Sequence, residues 1–405
     1  MMGLRLTRAI GITFLITGVM LAAAATPAPA QTPTPTAAPD PSWIVITPGE
    51  SIQSLVNLYP TGTTFYLKAG IHYKQRVVPK SGNRFIGEAG AVMDGQKVTP
   101  YAFETLKSLP TGVTIQGLEI RNYVPPYSYQ GAIQGDNGAN WVISDNRIHD
   151  NSTAGVRPGK NTQVLRNKIY LNAHNGIACF KCDGALIQDN EIYNNDPTKV
   201  STHGEGGMKL LGAKGITIRR NNVHDNFGIG IWSDTNSPTV LIENNTVTSN
   251  SKGGIWHEVS YDAIIRNNTV TGNGTPSVAV TGWIDRAGIQ VSNSPNVQVY
   301  GNTVTNNANG ITVMQASGYP ATGAYGAYTV QNLSVHDNVV RMPTGRSGMD
   351  ANTGDYSIYT SRNNHFEHNT YYLGTSSNPF AWYELFMPPW KWQSYGNDET
   401  GTIYK

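Results

Sequence analysis

Two carboxylates, Asp234 and Glu258, stand 24 residues apart (258 − 234), and each follows a Trp by two positions, Trp232 and Trp256. A pair of carboxyl groups held side by side can divide the work of cleaving a glycosidic bond, one attacking the sugar and the other shuttling a proton. Indoles are large and apolar, and a pair of them suits the flat faces of sugar rings. Lys209 lies 23 residues before Trp232 (232 − 209), and His257 directly precedes Glu258. Asp234, Glu258 and Lys209 are the candidate catalytic residues. Trp232, Trp256, His257, Glu205, His203 and Arg157 are the candidate substrate-binding groups. None of this chemistry works unless residues about 24 apart in sequence become neighbours in space.

Internal repetition supplies that proximity. Asn, any residue, then Ile or Val recurs at Asn146, Asn167, Asn190, Asn221, Asn245, Asn268, Asn302 and Asn338. A second element, Gly followed by Ile or a similar residue, recurs at Gly155, Gly176, Gly207, Gly230, Gly254, Gly288 and Gly310. Asn146 to Asn167 is 21 residues, Asn167 to Asn190 is 23, Asn221 to Asn245 is 24 and Asn245 to Asn268 is 23. Periods in this range mark stacked architectures. The units hold short alternating or β-branched stretches, such as Ile216-Thr217-Ile218 and Ile264-Ile265, with no 3.6-residue apolar pattern. The recurrent Leu of a leucine-rich horseshoe is missing. The expected fold is all-β, a right-handed parallel β-helix of about ten coils with an N-terminal cap. Inward Ile and Val would form the core, and the Asn side chains would stack in one column and satisfy turn amides.

On that register the residue after each Gly-Ile points outward: Arg157, Lys209, Trp232, Trp256 and Gln290. Asp234 and Glu258 form the next outward column, one coil apart, so roughly 4.8 Å separates their strands. Three intervals are longer, Asn190 to Asn221 (31), Asn268 to Asn302 (34) and Asn302 to Asn338 (36). The extra residues fall near 196–203, 275–286 and 317–328 and read as loops. The first two are expected to wall a groove around Asp234, Glu258 and Lys209.

The ends of the chain read differently. Residues 1–30 carry Arg5 and Arg8, an apolar run and Ala28-Pro29-Ala30, the pattern of a signal peptide. Residues 31–41 form a Pro/Thr/Ala-rich linker. Residues 42–405 are the expected β-helix domain, with an aromatic C-terminal tail in which Trp382, Trp390 and Trp392 would plug the open end. Ser51 would cap a short helix ahead of a first strand at Thr64–Gly70. Cys179 and Cys182 read as a local disulfide or two buried thiols. The net charge is +2 with no long basic run, which gives a nucleic-acid partner little electrostatic support. The implied product is a secreted monomer, with no membrane contact after signal cleavage, acting on an oligo- or polysaccharide.

The pairing of Thr47–Gln53 with Thr64–Gly70 resembles the start of secreted pectate-lyase-like β-helix proteins. Gly230-Ile231-Trp232-Ser233-Asp234, followed one coil later by Glu258-Val259-Ser260-Tyr261 and Asn267-Asn268, resembles the active-site coils of glycoside hydrolase family 120, the β-helical β-xylosidases. The resemblance implies Asp234 as nucleophile and Glu258 as acid/base, in a retaining hydrolase that needs no cofactor. Lys209 would then keep Asp234 ionised, while Trp256 and partial burial would raise the pKa of Glu258. Two alternatives stay open. In a polysaccharide lyase, Glu205, Asp234 and Glu258 would hold Ca²⁺, and Lys209 or His257 would take the proton α to a uronate carboxylate. A non-catalytic glycan-binding β-helix would use the same face without turnover.

Overall fold

The computed structural model describes residues 40–105, 109–199, 206–274 and 286–405. The signal segment and most of the linker lie outside them, as do His203 and Glu205. Within the described residues the chain winds through three sheets of thirteen, thirteen and twelve strands, parallel except for the edge strand Leu385–Met387 of the third. Between the terminal coils, each coil contributes one strand to each sheet; the coil of Asp234 does so with Thr217–Arg219, Asn222–His224 and Ile229–Asp234. The coils outnumber the expected ten because those before Asn146 carry no Asn marker; Leu118 stands at its place one coil earlier. The first strand is Ile44–Ile46, which pairs in parallel with Thr64–Leu67, so the latter is second rather than first. Between them Ser51 caps the helix Ile52–Leu58 by accepting from the Ser54 amide.

The turns explain the repeat. The amide N–H and the Nδ2 of Asn146 both donate to Asn167 Oδ1, at 3.0 and 2.9 Å. Its Nδ2 also reaches the Ile115 carbonyl of the preceding coil. The same link repeats from Asn167 through Asn190, Asn221, Asn245, Asn268, Asn302 and Asn338 to Asn369. The column ends on Asp398, which accepts from Asn369 through Oδ1 and from the Trp392 indole through Oδ2. A second column, from Asn151 to Asn307, runs along the next corner. Asn suits both places because its short amide offers an acceptor and two donors to backbone groups cut off from water. The residue before each first-column Asn lies in the left-handed region, as at Asp145, Asp189 and Asn244, which turns the chain sharply.

Packing accounts for the recurrent Gly. A Cβ on Gly230 would sit 2.7 Å from Val247 Cγ1 and 2.8 Å from Asn250 Nδ2, atoms of the core and of the second Asn column. The inward residues, such as Ile218, Val223 and Ile231, are fully buried. At the C-terminal end Trp392 stacks on Phe380 and meets Trp382 edge-on, and both Trp are buried as a plug, whereas Trp390 is exposed. Cys179 and Cys182 are joined in a disulfide.

Replacing one link of the ladder should be costly. Asn221→Ala removes the acceptor of the Asn190 amide and side chain and the donor to the Ile187 carbonyl. With a penalty of about 1–3 kcal/mol for each unsatisfied buried group, the loss should total several kcal/mol. Thr246→Ala, on the exposed face of the same region, should stay within about 0.5 kcal/mol. Denaturant midpoints of the two variants test this, and equal midpoints would show the ladder to be dispensable.

Candidate active site

Four adjacent strands of the third sheet build the site: Met208–Leu211, Ile229–Asp234, Gly253–Glu258 and Ala287–Ser292. The register sets Lys209 beside Trp232, Trp232 beside Trp256 and Trp256 beside Gln290. One column further out, Leu211 pairs with Asp234 and Glu258 with Ser292. Asp234 and Glu258 thus end neighbouring strands on the outer face, as their spacing predicts. Period-2 alternation sends Ile231, Ser233, Ile255 and His257 inward.

The polar groups are tightly connected. Lys209 Nζ lies 3.2 Å from Asp234 Oδ2 and 3.4 Å from the centroid of the Trp232 ring. Asp234 Oδ1 accepts from the amide and the hydroxyl of Thr235, at 2.7 and 2.8 Å. The Trp232 indole donates to Glu258 Oε2 at 3.0 Å, and the Tyr319 hydroxyl donates to Glu258 Oε1 at 2.6 Å. Burial raises the Glu258 pKa to about 7, and the nearby Asp234 charge pushes the same way. The hydrogen bonds from Tyr319 and Trp232 and the Lys209 charge oppose the shift without cancelling it.

Strain holds the two acids in place. Thr235 and Val259, the residues directly after them, are β-branched yet adopt φ of 22° and 45°. Such conformations cost about 1–3 kcal/mol each and persist only where the surroundings impose them. Here the Ser237 hydroxyl donates to the Asp234 carbonyl, the Val259 amide donates to the Ser292 carbonyl, and Val259 packs against Tyr261 and Tyr328.

Several expectations need correction. His257 is not on the binding face: it is fully buried on the core side, 2.7 Å from Ser233 Oγ, and burial lowers its pKa to about 4. Trp232 is 5% exposed, with Lys209 over its ring and Trp256 stacked on it at 4.9 Å, so it has no face to offer a sugar. Its indole is the one that meets Glu258, in the place the sequence assigns to Trp256. The Trp256 indole instead donates to Ser292 Oγ, and that ring remains part-exposed. Arg157 lies two coils before Lys209, outside this cluster, and sits 3.2 Å from Asp136. His203, Glu205 and most of the two expected loop walls lie outside the described residues.

The third insertion reaches the site through Tyr319. It forms the hairpin Thr322–Gly323 and Gly326–Ala327, held by Asn236 Oδ1, which accepts from the Ala324 amide and the Tyr328 hydroxyl. Tyr261 donates to the Gly326 carbonyl. Tyr319, at the start of this loop, carries no repeat position, so coil alignment could not have found it. The interval of 36 residues was its only signal.

A Glu that binds its proton more tightly when folded makes folding less favourable as pH rises from the ordinary carboxylate range through about 7. Above that pH the full cost is present. Glu258→Gln should therefore raise the unfolding free energy at pH 8 more than at pH 5, by up to roughly 3 kcal/mol in denaturant titrations. An equal change at both pH values would rule out a raised pKa.

No curated protein matches the sequence. Among solved structures the chain is similar to XylC in complex with xylose, with a TM-score of 0.63 and 12% identity over 88% of this chain and 83% of that one. It is also similar to the A-module of the Azotobacter vinelandii mannuronan C-5 epimerase AlgE4, with a TM-score of 0.56 and 14% identity over 83% and 94%. The Agl-KA catalytic domain gives 0.57 and 12% over 92% and 68%. At such identities the likeness is one of fold. The model of the right-handed beta helix region matches residues 84–206, 131–285 and 198–325, which together span more than half of the sequence. With its ladders, its three largely parallel sheets and this match, the chain belongs to the right-handed β-helix family.

Proposed function

We propose that this protein is an exported carbohydrate-active enzyme, a retaining glycoside hydrolase with Asp234 as nucleophile and Glu258 as acid/base. The observation that carries the reading is the contrast between neighbouring carboxyls. Glu258 is buried and pushed up to about 7, while Asp234 is paired with Lys209. Two carboxyls in environments that separate their roles are the signature of an acid and a nucleophile. Strands roughly 4.8 Å apart suit the roughly 5–5.5 Å carboxyl separation of retaining enzymes. The export rests on residues 1–30, and the saccharide substrate draws further support from the likeness to a xylose-bound structure.

The proton can be assigned to an atom. An indole N–H only donates, so Glu258 Oε2 accepts from Trp232; in the protonated acid the proton sits on Oε1, where the Tyr319 hydroxyl, a donor to the carboxylate, turns to accept it. In the first step Asp234 attacks the anomeric carbon from one face while Glu258 Oε1 protonates the departing oxygen. In the second, the Glu258 carboxylate takes a proton from water, which displaces Asp234. Lys209 pairs with Asp234 and, through its contact with Trp232, fixes the indole that orients Glu258.

The lyase reading differs in metal and product. It needs a base free to reach the substrate, whereas Lys209 is engaged by Asp234 and lies over the Trp232 ring. It also needs carboxylates open to Ca²⁺, whereas both Glu258 oxygens meet hydrogen-bond donors. Incubation with a glycan panel should yield new reducing ends, and turnover should survive EDTA. Asp234→Asn and Glu258→Gln should each lower kcat by at least about 10²–10⁴-fold. Azide should partly rescue Glu258→Ala. Loss of turnover on chelation, restored by Ca²⁺ and accompanied by unsaturated uronides, would establish the lyase instead. Binding without turnover on any glycan would favour the non-catalytic module.

The pH profile offers a separate check. Protonated Glu258 is the active form, so kcat/KM should fall as pH rises through about 7. Tyr319→Phe removes a hydrogen bond that favours the charged form, so this limb should move to higher pH while kcat falls. A limb that stays in place would mean that Tyr319 does not act on Glu258.

A further inference from the structure

The column that carries Asp234 and Glu258 continues toward the N-terminus. Phe180 pairs with Leu211, and Leu211 pairs with Asp234. Phe180 is therefore two strand spacings from the nucleophile, roughly 10 Å along the sheet. Its strand, Ile177–Phe180, fills the core with Ile177 and Cys179, so nothing inside requires this ring, and it is 41% exposed. Leu211, half-buried, bridges the gap. The result is an apolar strip leading to the carboxylate pair.

Two cations flank the ring. The Arg157 guanidinium lies 5.5 Å from its centroid and the Lys181 ammonium 5.7 Å. Arg157 is anchored by the Tyr129 carbonyl and by Asp136, which leaves the trio of Arg157, Lys181 and Asp136 one positive charge in excess. Lys181 is exposed. An aromatic face takes the apolar face of a pyranose, and neighbouring cations take a carboxylate.

We infer that Phe180, Arg157 and Lys181 form an accessory subsite for a uronate residue or uronate branch of an oligosaccharide that is cleaved at Asp234 and Glu258. The inference rests on the carbohydrate reading of that pair and adds to it. The substrate runs along the stack of coils, spans more than one sugar and carries negative charge away from the scissile bond. The excess of positive charge at the strip selects it over a neutral oligomer.

Binding to the full chain carrying Glu258→Gln tests this without asking for turnover. Calorimetry would compare xylo-oligosaccharides, the same oligomers bearing a glucuronate branch, and oligomannuronates, all matched in length. The uronate-bearing ligands should bind roughly tenfold more tightly, as befits one added charge-assisted contact. Phe180→Ala and Lys181→Ala should each remove most of that preference, and added salt should weaken it. Equal affinity for neutral and acidic oligomers, unchanged acidic binding in both variants, or no binding of any oligomer would overturn the subsite. Binding as expected, with no hydrolysis by the unsubstituted protein, would sink the hydrolase reading and leave the subsite standing.

Discussion

Everything in this structure depends on how a tight turn, shut away from water, satisfies its backbone. From Asn146 to Asn307 the coils turn two corners lined by Asn, and amides such as those of Asn167 and Asn172 serve both the coil before and the coil after. A buried polar group left unpaired costs more than a made hydrogen bond returns, so the columns tolerate no slip. A fixed corner fixes the strand that follows it. A separation of about one period in sequence then becomes a lateral step of a single strand, and residues such as Asp234 and Glu258 meet without any dedicated loop.

On this rigid lattice the site places unlike environments side by side. The Trp232 ring serves three partners at once: Lys209 over its face, Trp256 stacked on it and Glu258 at its N–H. One indole therefore couples the cation that pairs with Asp234 to the orientation of Glu258. The left-handed turns at Thr235 and Val259 end the strands just beyond the acids and aim both at the same outer face. Such strain is affordable because serine hydroxyls and the buried Tyr261–Tyr328 pair brace the turns from beneath.

Much of this is legible in the sequence, and the limits have physical causes. Asn and Gly recur at fixed spacing because each fills a place where a donor or the lack of a Cβ is obligatory, and those places define the register. From the register follow the outward column of Lys209, Trp232 and Trp256 and the juxtaposition of Asp234 with Glu258. The same period-2 rule, applied to His257, puts it inside, so chemical type is a poor guide where alternation speaks. The second Asn column escapes notice because its members lack a fixed following residue. Tyr319 is not legible because an insertion has no register, and its contact with Glu258 bridges 61 residues. The mutual covering of the two indoles depends on side-chain tilt, which spacing does not encode.

The first Asn column also has a polarity. From one Asn to the next, an N–H of Nδ2 always donates toward the C-terminus and Oδ1 accepts from the N-terminal side, while the second N–H goes to a backbone carbonyl of the coil before, so the side-chain amides are aligned along the stack. The donor end of this row points at Asp398, whose oxygens accept from Asn369 and Trp392. A carboxylate at the positive end of aligned dipoles is electrostatically matched, as at a helix N-terminus. It also has no side-chain N–H to hand onward. The row cannot be prolonged by another Asn-bearing coil, from this chain or a second copy, without displacing Asp398, so one residue both neutralises the row and terminates its growth.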